Sequence, residues 1–223
     1  MKASLNSCLI HFSNHVHDVL NKFRALDFLG PLALRLYLAP IFLVFGWKKV
    51  EGFDGIVQWF DSGLELPFPW VMAFLATAAE LIGGVMLLIG FATRYIAIPL
   101  MITMIVAMGT VHAQHGWYAV APTSASEHIA APLAALGLES AQQALEDTKA
   151  VAERQDRARS LLREHGHYEW LSEKGSFVVL NNGIEFSATY FIMLLMLFFY
   201  GGGRWFSVDY WLHRRFRDVQ EAA

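Results

Sequence analysis

The sequence predicts an all-α protein: a four-helix transmembrane bundle with an N-terminal amphipathic helix and a helical extramembrane insertion between spans three and four. Three observations carry that prediction. Hydrophobic residues make up 55% of the 223 and charged residues 17%, where soluble domains carry about a quarter charged, and mean hydropathy is +0.37. Four windows are long and apolar enough for a helix crossing a bilayer, which takes roughly 20 residues. The stretch "FLATAAELIGGVMLLIGFATR", Phe74 to Arg94, sets one glutamate, Glu80, in an otherwise apolar run. A carboxylate is placed there only where other helices shield it.

Residues 1–28 space Phe12, Val16, Val19, Leu20, Phe23 and Leu26 at helical intervals, which predicts an amphipathic helix on the inner membrane surface. His11 and His15, four apart in it, read as interfacial histidines rather than metal ligands. Span one is Leu29 to Trp47, with Arg35 and Pro40 inside. "FDGIVQWFDSGLELPFPW" follows, rich in Trp, Phe and Pro, and predicts a short interfacial helix or re-entrant cap. Span two runs from Phe68 to about Phe91 and span three from Tyr95 to Ala113. Pro40 and Pro99 are tolerated because neighbouring helices satisfy the freed carbonyls. The extramembrane insertion takes residues 114–184. Within it Ala141, Ala144, Leu145, Thr148, Val151, Ala152 and Leu162 form one stripe of a helix that should end near Gly166. An extended piece and an Asn-Gly turn then lead into span four, Phe186 to Gly202. The resulting division is 1–28, 29–113 (spans one to three), 114–184 and 185–223 (span four and tail).

A net charge of −3 gives no electrostatic case for nucleic acid. The single cysteine, Cys8, excludes an intramolecular disulfide and a paired-thiol redox centre. No cleavable signal sequence is visible. Paired haem histidines and flavin or nucleotide fingerprints are absent from the sequence, and the methionines of spans two to four read as core filling rather than as Cu(I) ligands. Lys2, Lys22, Arg24, Arg94, Arg204, Arg214, Arg215 and Arg217 fall on one side of a four-span topology. Both termini are therefore expected in the cytoplasm, with the insertion outside.

Buried charges supply the candidate site. Depth along the spans pairs Arg35 with Glu80 near the midplane, and Gly83 and Gly84 beside Glu80 offer a flat patch for close helix approach. Lys48, Lys49, His112, His115 and Glu185 gather at the outer ends, where they suit an anion, a quinone carbonyl or a soft metal. Arg94 reads first as a positive-inside anchor, and Asp209 is placed to cap a helix or to pair with Arg204. The candidate catalytic residues are Glu80, Lys49 and His112, with Arg35, His115, Glu185 and Arg94 as candidate substrate-binding residues and no metal assigned.

"LRLYLAPIFLVFGWKKVEGF", "AELIGGVMLLIGFATR", "VHAQHG" and "GGGRWFSVD" together resemble the DoxX-like family of small bacterial membrane proteins, over most of residues 29–113 and 180–210. The insertion at about 117–180 departs from its compact members. The resemblance implies a four-helix bundle in the bacterial inner membrane and an association with quinone-linked oxidation, thiosulfate:quinone oxidoreduction in the name-giving relatives. Other members are tied to oxidative-stress complexes or to the maturation of copper-binding peptides. The expected function is a quinone-linked oxidoreductase subunit, with quinone as cofactor and a redox or periplasmic protein and membrane lipids as partners. The alternative is a non-enzymatic scaffold or accessory protein, in metal handling or oxidative stress, that docks a partner through its outer cap.

Overall fold

The computed structural model describes residues 14, 15, 17, 21–124 and 130–221. Of the expected N-terminal amphipathic stripe, Phe12, Val16, Val19 and Leu20 lie outside the described residues, as do Cys8 and His11. The described part is helical at 14, 15, 17, 21 and 22 and ends in a 3-10 turn, Phe23–Leu26. The helices that follow are α1 (Leu29–Glu51), α2 (Phe53–Gln58), α3 (Pro69–Ile89), α4 (Thr93–Ala107), α5 (Ala131–Ala135), α6 (Glu139–His165), α7 (Tyr168–Ser172), α8 (Glu185–Tyr200) and α9 (Val208–Glu221). Among the described residues no strand forms, and one isolated antiparallel bridge joins Val120 and Leu180.

Among the described residues, three segments are long and apolar enough to cross a membrane: Phe23–Glu51, Pro69–Ile89 and Thr93–His115. The expected fourth span is the apolar helix α8, whose 16 residues rise only about 24 Å, against a hydrocarbon core of about 30 Å. Pro40 and Pro99 both lie within helices, as expected.

The chain divides into two compact units, Met1–Ile105 with Thr189–Ala223, and Val106–Ala188. In the first unit four helices share one core: Leu38, Ala39 and Phe42 of α1, Leu87 of α3, Ala97, Leu100 and Met104 of α4, and Leu194 and Leu197 of α8. Each inward stripe keeps the 3.6-residue period, as in Thr93, Ala97, Leu100 and Met104. Unlike a soluble bundle, the helices are apolar on their outer faces as well as in the core. The buried stripes hold Arg35, Thr77, Glu80 and Thr93, whereas Leu36, Phe45, Leu75, Ile82, Ile98 and Ile102 face outward. That arrangement suits helices solvated by lipid.

Close helix approach depends on glycine, as Gly83 and Gly84 foretold. A Cβ on Gly84 would stand 2.7 Å from Leu43 of α1, and one on Gly83 would stand 2.9 Å from Leu100 of α4. Past the end of α1, α2 and a π-helical turn (Trp59–Gly63) fold back on the first turns of α3. There Phe60 is buried, and Phe53 meets Trp70 edge-on at 6.1 Å. Exposed Trp47, Trp59, Phe68 and Trp70 ring this end, and exposed Tyr95, Tyr200, Trp205 and Trp211 ring the other. Such paired aromatic girdles suit two headgroup layers.

In the second unit α6 runs for 27 residues and ends with Gly166 as its cap residue. Ala141, Thr148 and Gln155, seven apart, are its most buried positions; the first two lie on the stripe that the sequence predicts, and Gln155, which that stripe left out, continues it. Gln155 Nε2 donates to Phe177 O at 2.6 Å. Residues 116–121 run antiparallel to 179–185, with bonds such as Ala121 N to Val179 O (3.0 Å) and Glu185 N to Trp117 O (2.9 Å). In the expected Asn-Gly turn it is Asn182 that takes the left-handed conformation, φ 61°. Gly183 is required for space instead, since a Cβ there would press into the carbonyl oxygens of Tyr118 and Gly116.

Candidate functional site

Glu80 sits mid-helix on the inward stripe of α3, and Lys49 lies in the last turn of α1. Lys49 Nζ donates to Glu80 Oε2 at 2.5 Å, with side-chain exposures of 21% and 7%. The expected Arg35–Glu80 pair does not form. The reason is register: Leu43 faces Gly84 and Gly46 faces Leu81, so residue numbers facing each other across these antiparallel helices add to 127. On that register Arg35 stands opposite position 92, twelve residues and about 18 Å beyond Glu80. A guanidinium cannot bridge that distance, whereas Lys49 stands opposite position 78, two residues and about 3 Å along the axis from Glu80.

Arg35 serves instead as a clamp at the opposite end of the first unit. It is 1% exposed. Its Nε donates to Leu87 O (2.8 Å), Nη1 to Gly202 O (2.5 Å), and Nη2 to Leu88 O (3.2 Å) and Phe206 O (2.9 Å). Two of these carbonyls belong to the last turn of α3, where a cation is favourable and acceptors are otherwise orphaned. The remaining turn is closed by a Schellman arrangement around left-handed Gly90: Gly90 N donates to Leu87 O and Phe91 N to Met86 O. Gly90 also makes room for the arginine, because a Cβ would lie 2.5 Å from Arg35 Nη1.

Asp209, in the first turn of α9, acts as a cap, one of the two roles expected of it. Its Oδ1 accepts from Ala92 N (2.6 Å) and its Oδ2 from Thr93 N (2.9 Å), at the start of α4. Arg204 pairs with Asp27 at 2.5 Å rather than with Asp209. Asp209→Ala is expected to cost about 1–2 kcal/mol, the worth of an N-terminal cap, with Asp209→Asn losing less. Thermal unfolding in detergent measures both.

Arg94, in the first turn of α4, is exposed. His112, His115 and Glu185 belong to the second unit. His112 Nδ1 lies 2.7 Å from Asn182 O, so that nitrogen carries the proton and donates. Glu185 Oε2 accepts from Ala119 N at 2.9 Å, and Asn181 Nδ2 donates to His115 O and Tyr118 O. All three thus take part in joining the two antiparallel segments. Among the described residues no three His, Cys, Asp or Glu side chains gather as a metal site.

Sequence reasoning missed the Lys49–Glu80 pairing and the Arg35 clamp. The signal that could have found both is the small-residue contact: placing Gly46 and Gly84 on one α1–α3 interface sets the register, and the register sets the partners.

Long apolar helices, inward polar stripes and a shielded ion pair define a helical integral membrane protein. Residues 30–113 match the model of the DoxX family. "Putative oxidoreductase CatD" of Bacillus subtilis (strain 168) is 40% identical over 83 residues, 37% of this chain and 60% of that protein. "Inner membrane protein YphA" of Escherichia coli (strain K12) is 37% identical over 67 residues, 30% of this chain and 47% of that protein. In both cases the match covers less than two thirds of the relative's own length. No solved structure matches the chain.

Proposed function

We propose that the protein is the membrane subunit of a quinone-linked oxidoreductase in the bacterial inner membrane, with both termini cytoplasmic and the quinone ring held at Lys49. The observation that carries this reading is the shielded Lys49–Glu80 pair between two lipid-facing helices. One N–H of the Lys49 ammonium is bound to Glu80 Oε2, and the other two can donate to a carbonyl oxygen arriving laterally from the lipid. Glu80 fixes the ammonium in position. When two electrons pass from a partner protein or small reductant to the ring, the pair hands the incoming protons to the quinone oxygens. The name of the Bacillus relative adds support of a general kind.

A short-chain ubiquinone titrated into the purified protein is expected to quench tryptophan emission saturably, Trp47 lying two residues from Lys49. Lys49→Met should weaken binding about tenfold, as loss of one charged hydrogen bond predicts. Absence of saturable quenching, or equal affinity in the variant, defeats the reading. The second reading is an accessory protein in metal handling or oxidative stress that docks a partner through the second unit. It draws on α6, whose exposed side carries Glu146, Asp147, Glu153, Arg154 and Arg157 opposite the buried stripe. On that reading, substitutions at Lys49 alter stability alone.

A further inference from the structure

At the α3–α4 turn end of the first unit lies a cavity of about 780 Å³, walled by α1, α4, α8, the glycine-rich 201–203 turn and α9. Its interior is apolar, with Pro31, Leu34, Met196 and Leu197 among its walls, while its charges stand at Asp27, Arg94, Arg204 and Asp209. Three of those four are committed. Arg204 is paired with Asp27 at 2.5 Å, and both carboxylate oxygens of Asp209 accept backbone N–H groups of the α4 terminus. Arg94 makes no ion pair among the described residues and is exposed. The buried Arg35 guanidinium lies just behind the turn, against Gly90, so the local balance of these charges is one positive.

The turn is shaped around Arg94. Gly201 is left-handed (φ 74°), and a Cβ there would stand 3.2 Å from Arg94 Nε. Tyr95 and Tyr200, 79% and 67% exposed, flank the opening. Alongside them α9 exposes Trp211, Leu212 and Phe216, with Arg214 over the Trp211 ring at 5.8 Å and Arg215 next to it. An amphipathic helix with arginines beside exposed aromatic side chains belongs in a headgroup layer.

A ligand for this cavity needs an anionic head at Arg94 and an apolar tail along Leu34, Met196 and Leu197. We propose that it seats an anionic glycerophospholipid, the phosphate on the Arg94 guanidinium and an acyl chain between α1 and α8. Arginine suits that headgroup because its planar fork bonds two phosphate oxygens together. The site is separate from the Lys49–Glu80 pair and does not depend on a quinone.

The test uses the full chain in nanodiscs of phosphatidylcholine with and without phosphatidylglycerol, with spin-labelled lipid reporting association. Wild-type protein is expected to prefer phosphatidylglycerol. Arg94→Gln should reduce that preference about fivefold, the worth of one arginine near an anionic surface, and Arg94→Lys should retain most of it. A photoactivatable phosphatidylglycerol should crosslink around Tyr95, Tyr200 and Tyr210 in the wild-type protein, a readout that no variant's folding affects. An unchanged preference in Arg94→Gln, or crosslinks spread evenly around the helices, overturns the proposal. Displacement of the lipid by inorganic phosphate also overturns it, by making the site one for soluble anions.

Discussion

Arg35→Met is expected to destabilise the first unit by about 4 kcal/mol, estimated from leaving the carbonyls of Leu88, Gly202 and Phe206 without their charged donor at about 1–3 kcal/mol each, Leu87 O keeping its bond from Gly90 N. The side chain reaches from α1 to the end of α3 and to the turn that joins α8 to α9, and it satisfies an acceptor on each. Removing it unpins three segments together and leaves Leu87 O, Leu88 O, Gly202 O and Phe206 O without this donor, in surroundings with little water. Lysine should rescue little, because one ammonium cannot reach acceptors spread around a fork. The measurement is the thermal midpoint of the purified protein in detergent for wild type, Arg35→Met and Arg35→Lys. A wild-type midpoint in either variant would show that the clamp is not structural, and would return Arg35 to the set of ligand-binding candidates.

Much of the fold was legible because a membrane leaves a chain few options. A segment in hydrocarbon has to satisfy its own backbone, so an apolar window is a helix, and the observed α1, α3 and α4 begin within two residues of the expected windows. The α6 stripe and its end at Gly166 were legible for a different reason, the period of apolar residues against a charged face. Burial of Glu80 was legible from its cost. Its partner was not: the sequence reading took Arg35, whereas α1 also carries Lys48 and Lys49, and the choice among these cations rests on axial register. That register is set by Leu43 on Gly84 and Leu81 on Gly46, contacts between residues more than thirty apart in sequence. Asp27 as the partner of Arg204 was hidden in the same way, 177 positions away.

Lys49→Met should prove far more damaging than the double change Lys49→Met/Glu80→Met. Alone, the lysine substitution strands a carboxylate that is 7% exposed, and breaking a buried pair from one side costs about 3–5 kcal/mol. Replacing both with apolar side chains removes the desolvation cost along with the attraction, so the double variant should return most of the way to wild-type stability. Glu80→Gln alone should fall between, since the ammonium keeps an amide oxygen to bond and can lean toward the more exposed side. The cycle is read from thermal or denaturant midpoints of wild type, Lys49→Met, Glu80→Met and the double variant, and losses that simply add would mean that the two residues do not interact. A parallel cycle on Arg35 and Glu80 should add, because about 18 Å separates them along the helices and they share no partner. The same double variant divides structure from function: stability regained while quinone binding stays lost would assign the pair to the ligand, and stability and binding regained together would leave it a packing device between α1 and α3.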